Sequence, residues 1–322
     1  MATGIGRINK VGIGIESTWG TKPATIDFIP VLEFNPNPQI ETVMDESSVG
    51  RIEKPIDQQL VREWSEPSLS AIVYQEHIGY FLKAIFGTLS TTGPTDTSAY
   101  THDFTVKNDQ TPVSLTLIFE DANQEEKITG CVVNTASISL VNNDYAKIDL
   151  TFIGKKQAAD TDAASYTAEN AFNGCMANIK FATNVAGLGA ASAIAFQEAS
   201  FEINKNAEAI FSLGSCEPTS IINKSFEANG AFTIAMANET YRTLFLANTQ
   251  NAISFNLTNT GVTIGAATNP SLTFTFANVN FADWAEGTGL DDVKNETFSF
   301  NANYLLTDNM IDCTLVNTKV SY

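Results

Sequence analysis

The sequence is poor in the side chains that perform chemistry. It has two histidines, His77 and His102, and four cysteines, Cys131, Cys175, Cys216 and Cys313, scattered without a C-x-x-C pair. Structural zinc sites need clustered nitrogen and sulfur ligands, and neither H-E-x-x-H nor paired cysteines occur. A catalytic triad needs a serine or cysteine held by a base, and no G-x-S-x-G elbow is present. The cysteines read as small buried thiols, not a disulfide framework, and the histidines as packing or surface residues. Basic side chains are also scarce: 18 Lys and Arg face 36 Asp and Glu, a net charge of −18. The imbalance runs through the chain, with 12 basic and 20 acidic residues in 1–156 and 6 and 16 in 157–322. Such a surface repels phosphate and gains nothing from counterion release, which excludes tight nucleic-acid binding. No run approaches the ~20 apolar residues of a membrane span. Arg7 and Lys10 precede only a short apolar stretch at 11–15, so no secretory leader is expected.

Other motifs are incomplete. GIGIES (12–17) lacks the third glycine of a dinucleotide loop. The acidic clusters at 121–126 and 291–292 lack EF-hand spacing and read as solvated turns. Trp19, Trp64 and Trp284 form no sugar-stacking cluster in sequence. The expectation is no catalytic residue, no cofactor and no metal.

What is present points to β-structure. Hydrophobic residues make up 43% and charged residues 17%, enough for a core and too little charge for disorder. Short alternating runs bounded by turn residues recur, as in YAKIDLTFIGKK (145–156), where Ala146, Ile148, Leu150 and Phe152 share one face. One stretch, QEHIGYFLKAIFG (75–87), has helical spacing at Ile78, Phe81, Leu82, Ile85 and Phe86, with Gly87 as a stop. The plan then repeats. SLSAIVYQEHIGYFLKA (68–84) aligns without gaps to AFTIAMANETYRTLFLA (231–247), and EFNPNPQIE (33–41) resembles SFEINKNAE (200–208). Downstream, VSLTLI (113–118), ASISLV (136–141) and KIDLTF (147–152) are matched to AISFNL (252–257), SLTFTF (271–276) and NETFSF (295–300). The reading is a mainly β chain of tandem duplicated β-sandwich domains, each with a short flanking helix. The first covers 1–156 and the second 172–322, joined by the small, polar linker 157–171.

VGIGIESTWGTKP (11–23), LEFNPNPQIETVMDESSVG (32–50), LSAIVYQEHIGYFLKAIFGT (69–88), the YTHDF strand and ITGCVVNTASISLVNNDYAKIDLTFIGKK (128–156) together resemble the siphophage tail tube (major tail protein) family. The resemblance implies a virion subunit, made in the host cytoplasm, that stacks in rings as a hollow conduit for DNA. It implies self-association, with tape measure and terminator proteins as neighbours, and DNA passing unbound. Duplication makes three chains per ring with pseudo-sixfold symmetry the first expectation, with six-chain rings as the alternative. The loop reaching the neighbouring ring matches 42–59 and about 209–222, with Asp45, Glu46, Arg51, Glu53, Lys54 and Asp57 as candidate inter-ring contacts. Candidate acids facing the lumen are Glu63, Glu66, Asp149 and Glu296. A soluble β-rich binding module, such as an adhesin or carbohydrate-binding protein, is the alternative function, and a two-carboxylate hydrolase a third.

Overall fold

The computed structural model describes residues 5–54, 56–121, 124–236, 239–287, 289–290 and 293–322. Of the acidic clusters, residues 122–123 and 291–292 lie outside this set. The chain is mainly β, in large antiparallel sheets. Two 17-residue strands, Glu125–Val141 and Ser271–Gly287, organise it. The first half of Glu125–Val141 pairs with Leu115–Glu120 and Gln157–Ala159, and its second half with Lys147–Ile153 and Glu198–Asn204. Register shifts between Ile128 and Cys131 and between Val133 and Thr135 bend the strand, so one segment serves two layers. Ser271–Gly287 does the same. It pairs first with Asn251–Thr258 and Ile311–Asn317, then with Asn295–Ala302, and its Phe281/Asp283 shift faces Ser299–Phe300 as the Val133/Thr135 shift faces Thr151–Phe152.

Eight strands run side by side in one antiparallel sheet. Their order is Glu33–Asn35, Ser68–Ile72, Lys147–Ile153, Glu125–Val141, Glu198–Asn204, Glu227–Ala235, Asn295–Ala302 and Ser271–Gly287. The second four repeat the pairing order of the first four. Outer strands also correspond: Lys10–Ile15 sits between Asp27–Ile29 and Leu115–Glu120, and Ala177–Ala182 between Ala193–Ile194 and Asn251–Thr258. The hairpin Gly87–Asp96/Ala99–Val106, which has no later counterpart among the described residues, crosses over to pair with Ile311–Asn317. Followed strand by strand, the pairings branch but return to no earlier strand. The body curls round a single apolar core in which Phe201 stacks edge-on against Phe274 at 4.7 Å and Phe276 at 5.5 Å.

The helix expected at 75–87 is Ile78–Phe86, and Gly87, at φ 89°, ends it. Its first turn receives no cap from His77. Instead Glu169 accepts from the Glu76 and His77 amides at 3.0 and 3.2 Å. The segment read as a linker is therefore laid against the body: residues 157–159 pair in a sheet, and Asp160 is ion-paired to Lys22 and Lys127. After a one-turn helix at Val185–Leu188, the helix Thr240–Leu246 falls at the aligned position.

Three strand correspondences differ from the sequence alignment. The pairings place 136–139 opposite the role of 284–287, not 271–276, and Leu115 opposite that of Asn251. The cause is the bent strand: each long strand contains two alternating stretches, and period-2 runs match one another at several offsets. EFNPNPQIE slips likewise. The pairings set Glu33–Asn35 against Glu198–Ser200, and a turn of the same kind follows each strand, at Asn35-x-Asn37 and, four residues further on, at Asn204-x-Asn206, where the first side chain accepts from the amide two residues on and the second residue has positive φ.

Candidate assembly surfaces

The eight-stranded sheet buries one face and leaves the other open. Alternation decides which: Ala71, Ile148, Ile138, Phe201 and Phe300 lie in one register row and are buried. The neighbouring row on the open face runs Glu33, Ser70, Asp149, Ser137, Glu202, Asn229, Asn301, Asn280 across all eight strands, polar throughout. The open face carries the carboxylates of Glu33, Asp149, Glu198, Glu202, Glu227 and Asp283, all exposed. Its one basic residue among the described strands is Lys147, which is ion-paired with Asp144 at 2.5 Å. The face is thus acidic and hydroxyl-rich, with no positive patch on which a polyanion could settle.

The candidate acids fall in three places. Asp149 lies in the open row. Glu296 points the other way: it is fully buried, its nearest donor is the Trp284 indole N–H at 3.4 Å, and burial raises its carboxyl pKa. The register explains this, because Glu296 shares its row with Ile234, on the core side of Thr297. Glu63 is ion-paired with Lys156 at 2.7 Å at the base of a hairpin, and Glu66 accepts from the Trp64 indole at 2.9 Å in the following turn. Both lie off the eight-stranded sheet. Sequence reasoning missed Glu33, Glu198, Glu202, Glu227 and Asp283; for two of them the alternation E-A-S-F-E-I at 198–203 was the available signal.

The sheet has two unpaired margins among the described residues. One is the outer edge of Glu33–Asn35 and the other that of residues 280–287. An open edge offers a row of unmatched N–H and C=O groups. The interior junction displays how such edges meet: residues 135–141 of one long strand pair with Glu198–Asn204 over seven positions. Here Lys205 reaches across to donate to the Ala84 carbonyl at 2.7 Å, near the C-terminus of the first helix.

Two hairpins leave the same end of the sheet. The longer joins Pro38–Asp45 to Asp57–Ser65, and the shorter Ala207–Ile210 to Ser220–Asn223. They touch through Trp64 and Phe211, whose ring centroids are 5.7 Å apart, and through the Cys216 carbonyl, which accepts from the Glu63 amide at 2.8 Å. All six candidate contact residues lie on the longer hairpin. Asp45 and Asp57 face each other at its neck, and local hydrogen bonds lower both carboxyl pKa values, Asp45 from Ser47 and Asp57 from Gln59 and Gln58. Glu46 pairs with Lys54 at 2.9 Å and Arg51 with Glu53 at 3.2 Å.

The remaining titratable clusters are structural. Glu16, within GIGIES, is buried and accepts from Gly20 N–H, Gly130 N–H, Ser114 and Thr116, each at 2.7 Å. Trp19 then packs on Gly130, whose φ of +66° suits glycine. Glu125, Asp160 and Asp162 converge, but Lys22 and Lys127 are paired among them. His102 is buried, accepts or donates at Thr91, and donates to the Lys319 carbonyl at 2.9 Å; burial lowers its pKa. His77 sits 2.6 Å from Glu169. No curated protein matches the sequence. The family model for phage tail tube protein matches residues 6–302, nearly the whole chain, and the chain belongs to the phage tail tube protein family.

Proposed function

We propose that three copies of this chain close a ring in which the eight-stranded sheets join edge to edge, and that stacked rings form a tube with an acidic lumen for DNA passage. Members of the family are structural, not catalytic, and the chain is a component of the virion tail that assembles with other tail proteins into a multimeric tube. The carrying observation is the interior junction. The strand at residues 280–287 stands where residues 132–139 stand in the first four strands, yet lacks the neighbour that Glu198–Asn204 provides there. Its natural complement is the open edge of Glu33–Asn35 on the next copy, which occupies the position of Glu198–Ser200. Each chain is then a tandem duplication contributing two of six similar units, and both margins of the eight-stranded sheet are paired on closure.

The open face supports the lumenal assignment. Six carboxylates per chain, spaced among Ser, Thr and Asn, keep a polyanion off the wall, with a range set by the ~8–10 Å screening length at physiological salt. Opposing hairpins and turns at the two ends favour head-to-tail stacking. The test is native mass spectrometry of the smallest closed assembly, with electron microscopy of end-on views. Three-chain masses with sixfold-like projections support the reading. Six-chain rings, or closed assemblies whose Asp149→Cys thiol remains as reactive toward a bulky thiol reagent as in the free subunit, refute it.

A further inference from the structure

The two aligned helices differ in what covers them. In Ile78–Phe86 every residue but Lys83 is buried, whereas no residue of Thr240–Leu246 is. The gapless alignment sets Thr240 against His77, Thr243 against Tyr80, Leu246 against Lys83 and Ala247 against Ala84. These positions recur at three- and four-residue steps and so share one helix face. His77, Tyr80 and Ala84 are buried; Thr240, Thr243 and Ala247 are exposed, and Leu246 is 69% exposed. Tyr241, Leu244 and Phe245 pack against the core from the other side. The cover on the earlier helix comes from several segments. The hairpin 87–106 packs beside it, and the Tyr322 ring lies edge-on to Tyr80 at 5.3 Å. The second unit closes the remainder: Lys205 donates to the Ala84 carbonyl at 2.7 Å, and the Phe226 ring lies 6.3 Å from that of Phe86. After Leu246 the chain passes directly to Asn251–Thr258 without such a hairpin. Among the described residues no third unit covers Thr240–Leu246.

The other margin of the sheet holds the corresponding opening. A cleft of about 950 Å³ lies beside the open edge of Glu33–Asn35. Val31, Leu32, Phe34, Pro36 and Phe119 give it an apolar wall, in which Phe34 tilts on Phe119 at 5.7 Å and Leu32 is 54% exposed. Its rim is polar, with Arg7, Glu126 and Gln157. Pro36 stands in the Asn35-x-Asn37 turn, and Lys205 in the turn of the same kind at Asn204-x-Asn206. The cleft therefore lies, in the first unit, where the second unit grips the helix before it. The helix Thr240–Leu246 belongs to the opposite margin. It packs on Ser271–Gly287, and Asn248 just beyond it accepts from the Asn280 side chain at 2.9 Å. A bare helix face at one margin and an apolar-walled cleft at the other make a head-to-tail pair.

We propose that the Thr243–Leu246–Ala247 face of one chain docks in the 31–36 cleft of a second copy, so that a helix closes each junction between chains as Ile78–Phe86 meets Lys205 and Phe226 within one. This rests on the edge-to-edge ring reading and names the contact that lies beside the paired edges. The test compares the full chain with Leu246→Asp and, separately, Leu32→Asp, by sedimentation over rising concentration. Both positions are exposed, and unchanged circular dichroism checks that the variants fold. A second measurement uses Leu246→Cys, with labelling of that thiol followed by peptide mass spectrometry in the ring and in the free subunit. Expected is ring closure by the native chain, weakened at least about tenfold in each Asp variant, the effect of one leucine that no longer buries. The Leu246→Cys thiol should react at least about tenfold more slowly in the ring, as for a site open less than a tenth of the time. Rings that form with native affinity in either Asp variant overturn the docking and leave the edge pairing standing. So does a Leu246→Cys thiol as reactive in the ring as in the free subunit, which would leave that face to a different tail protein. A native chain that forms no closed ring overturns both readings.

Discussion

Lys205 should make this protein more stable as the solution turns mildly alkaline. Its side chain is buried at the interior junction, where it finds the Ala84 carbonyl but no carboxylate. Burial, with a smaller contribution from nearby Lys107, lowers its pKa from 10.5 to about 7. The folded chain therefore releases this proton near pH 7, while the unfolded chain holds it until about pH 10.5. Between those values the unfolded state binds one more proton, so stability rises with pH. The limiting slope is about 1.4 kcal/mol per pH unit. Because Lys205 is half protonated near pH 7, the integrated gain from pH 7.0 to 8.3 is about 1.4 kcal/mol. Higher pH is a poor place to look: buried Cys131 and Cys313 are held protonated when folded but ionise when unfolded, which pulls stability down again. The assay is urea unfolding of the unassembled subunit at pH 7.0, 7.6 and 8.3. Lys205→Met should be more stable than the native chain at pH 7 by about 2–4 kcal/mol, the recovered desolvation less a lost hydrogen bond of about 1 kcal/mol. It should also lose the pH slope. A native chain flat across that window, or a slope that survives in Lys205→Met, would refute the argument.

Three further outcomes are expected in the same assay. Glu16→Ala strands two amides and two hydroxyls and should cost about 3 kcal/mol, with Glu16→Gln recovering part of it; an effect below about 1 kcal/mol would show that water replaces the carboxylate. Phe201→Ala removes a ring packed on Phe255, Phe274 and Phe276 and should cost about 3–5 kcal/mol, against little or no change for exposed Ile52→Ala. Gly230→Ala places a methyl group 2.6 Å from the Phe300 ring and 2.8 Å from the Ser200 carbonyl, and should cost about 1–3 kcal/mol through overpacking. Neutral behaviour of Gly230→Ala would mean that the sheet opens there at no cost.

Legibility followed the length scale of the interaction. The helix at Ile78–Phe86 was readable because apolar spacing and Gly87 are local. Each strand face was readable within its strand, as in 147–153, where buried and exposed residues alternate. What the alternation does not carry is register. Within the long bent strands the match of 136–141 to 271–276 lies 13 residues from the place the pairings give it, 136–139 against 284–287, and this odd step sets buried Ile138 against Thr273. Glu296 was legible within its strand, because it shares the buried parity of Phe298 and Phe300 and faces Ile234. The segment 42–59 was expected only as a loop, from the family resemblance; that it lies in a hairpin whose Ile40, Met44 and Leu60 share a face through the bulge at Val61 depends on register. The role of Glu169 as a cap for a helix more than 80 residues earlier has no local trace at all.

The hairpin that crosses from the first part of the chain to Ile311–Asn317 sets the order in which the protein can be made. A ribosome releases residues 99–106 some two hundred residues before their partner strand emerges. The long strand at 125–141 likewise waits for 198–204 with one edge bare. Nascent chains in that interval hold open strand borders, where edge-to-edge capture by another nascent copy competes with completion. Non-local pairing of this kind folds slowly, so folding yield depends on how quickly residues 311–317 follow.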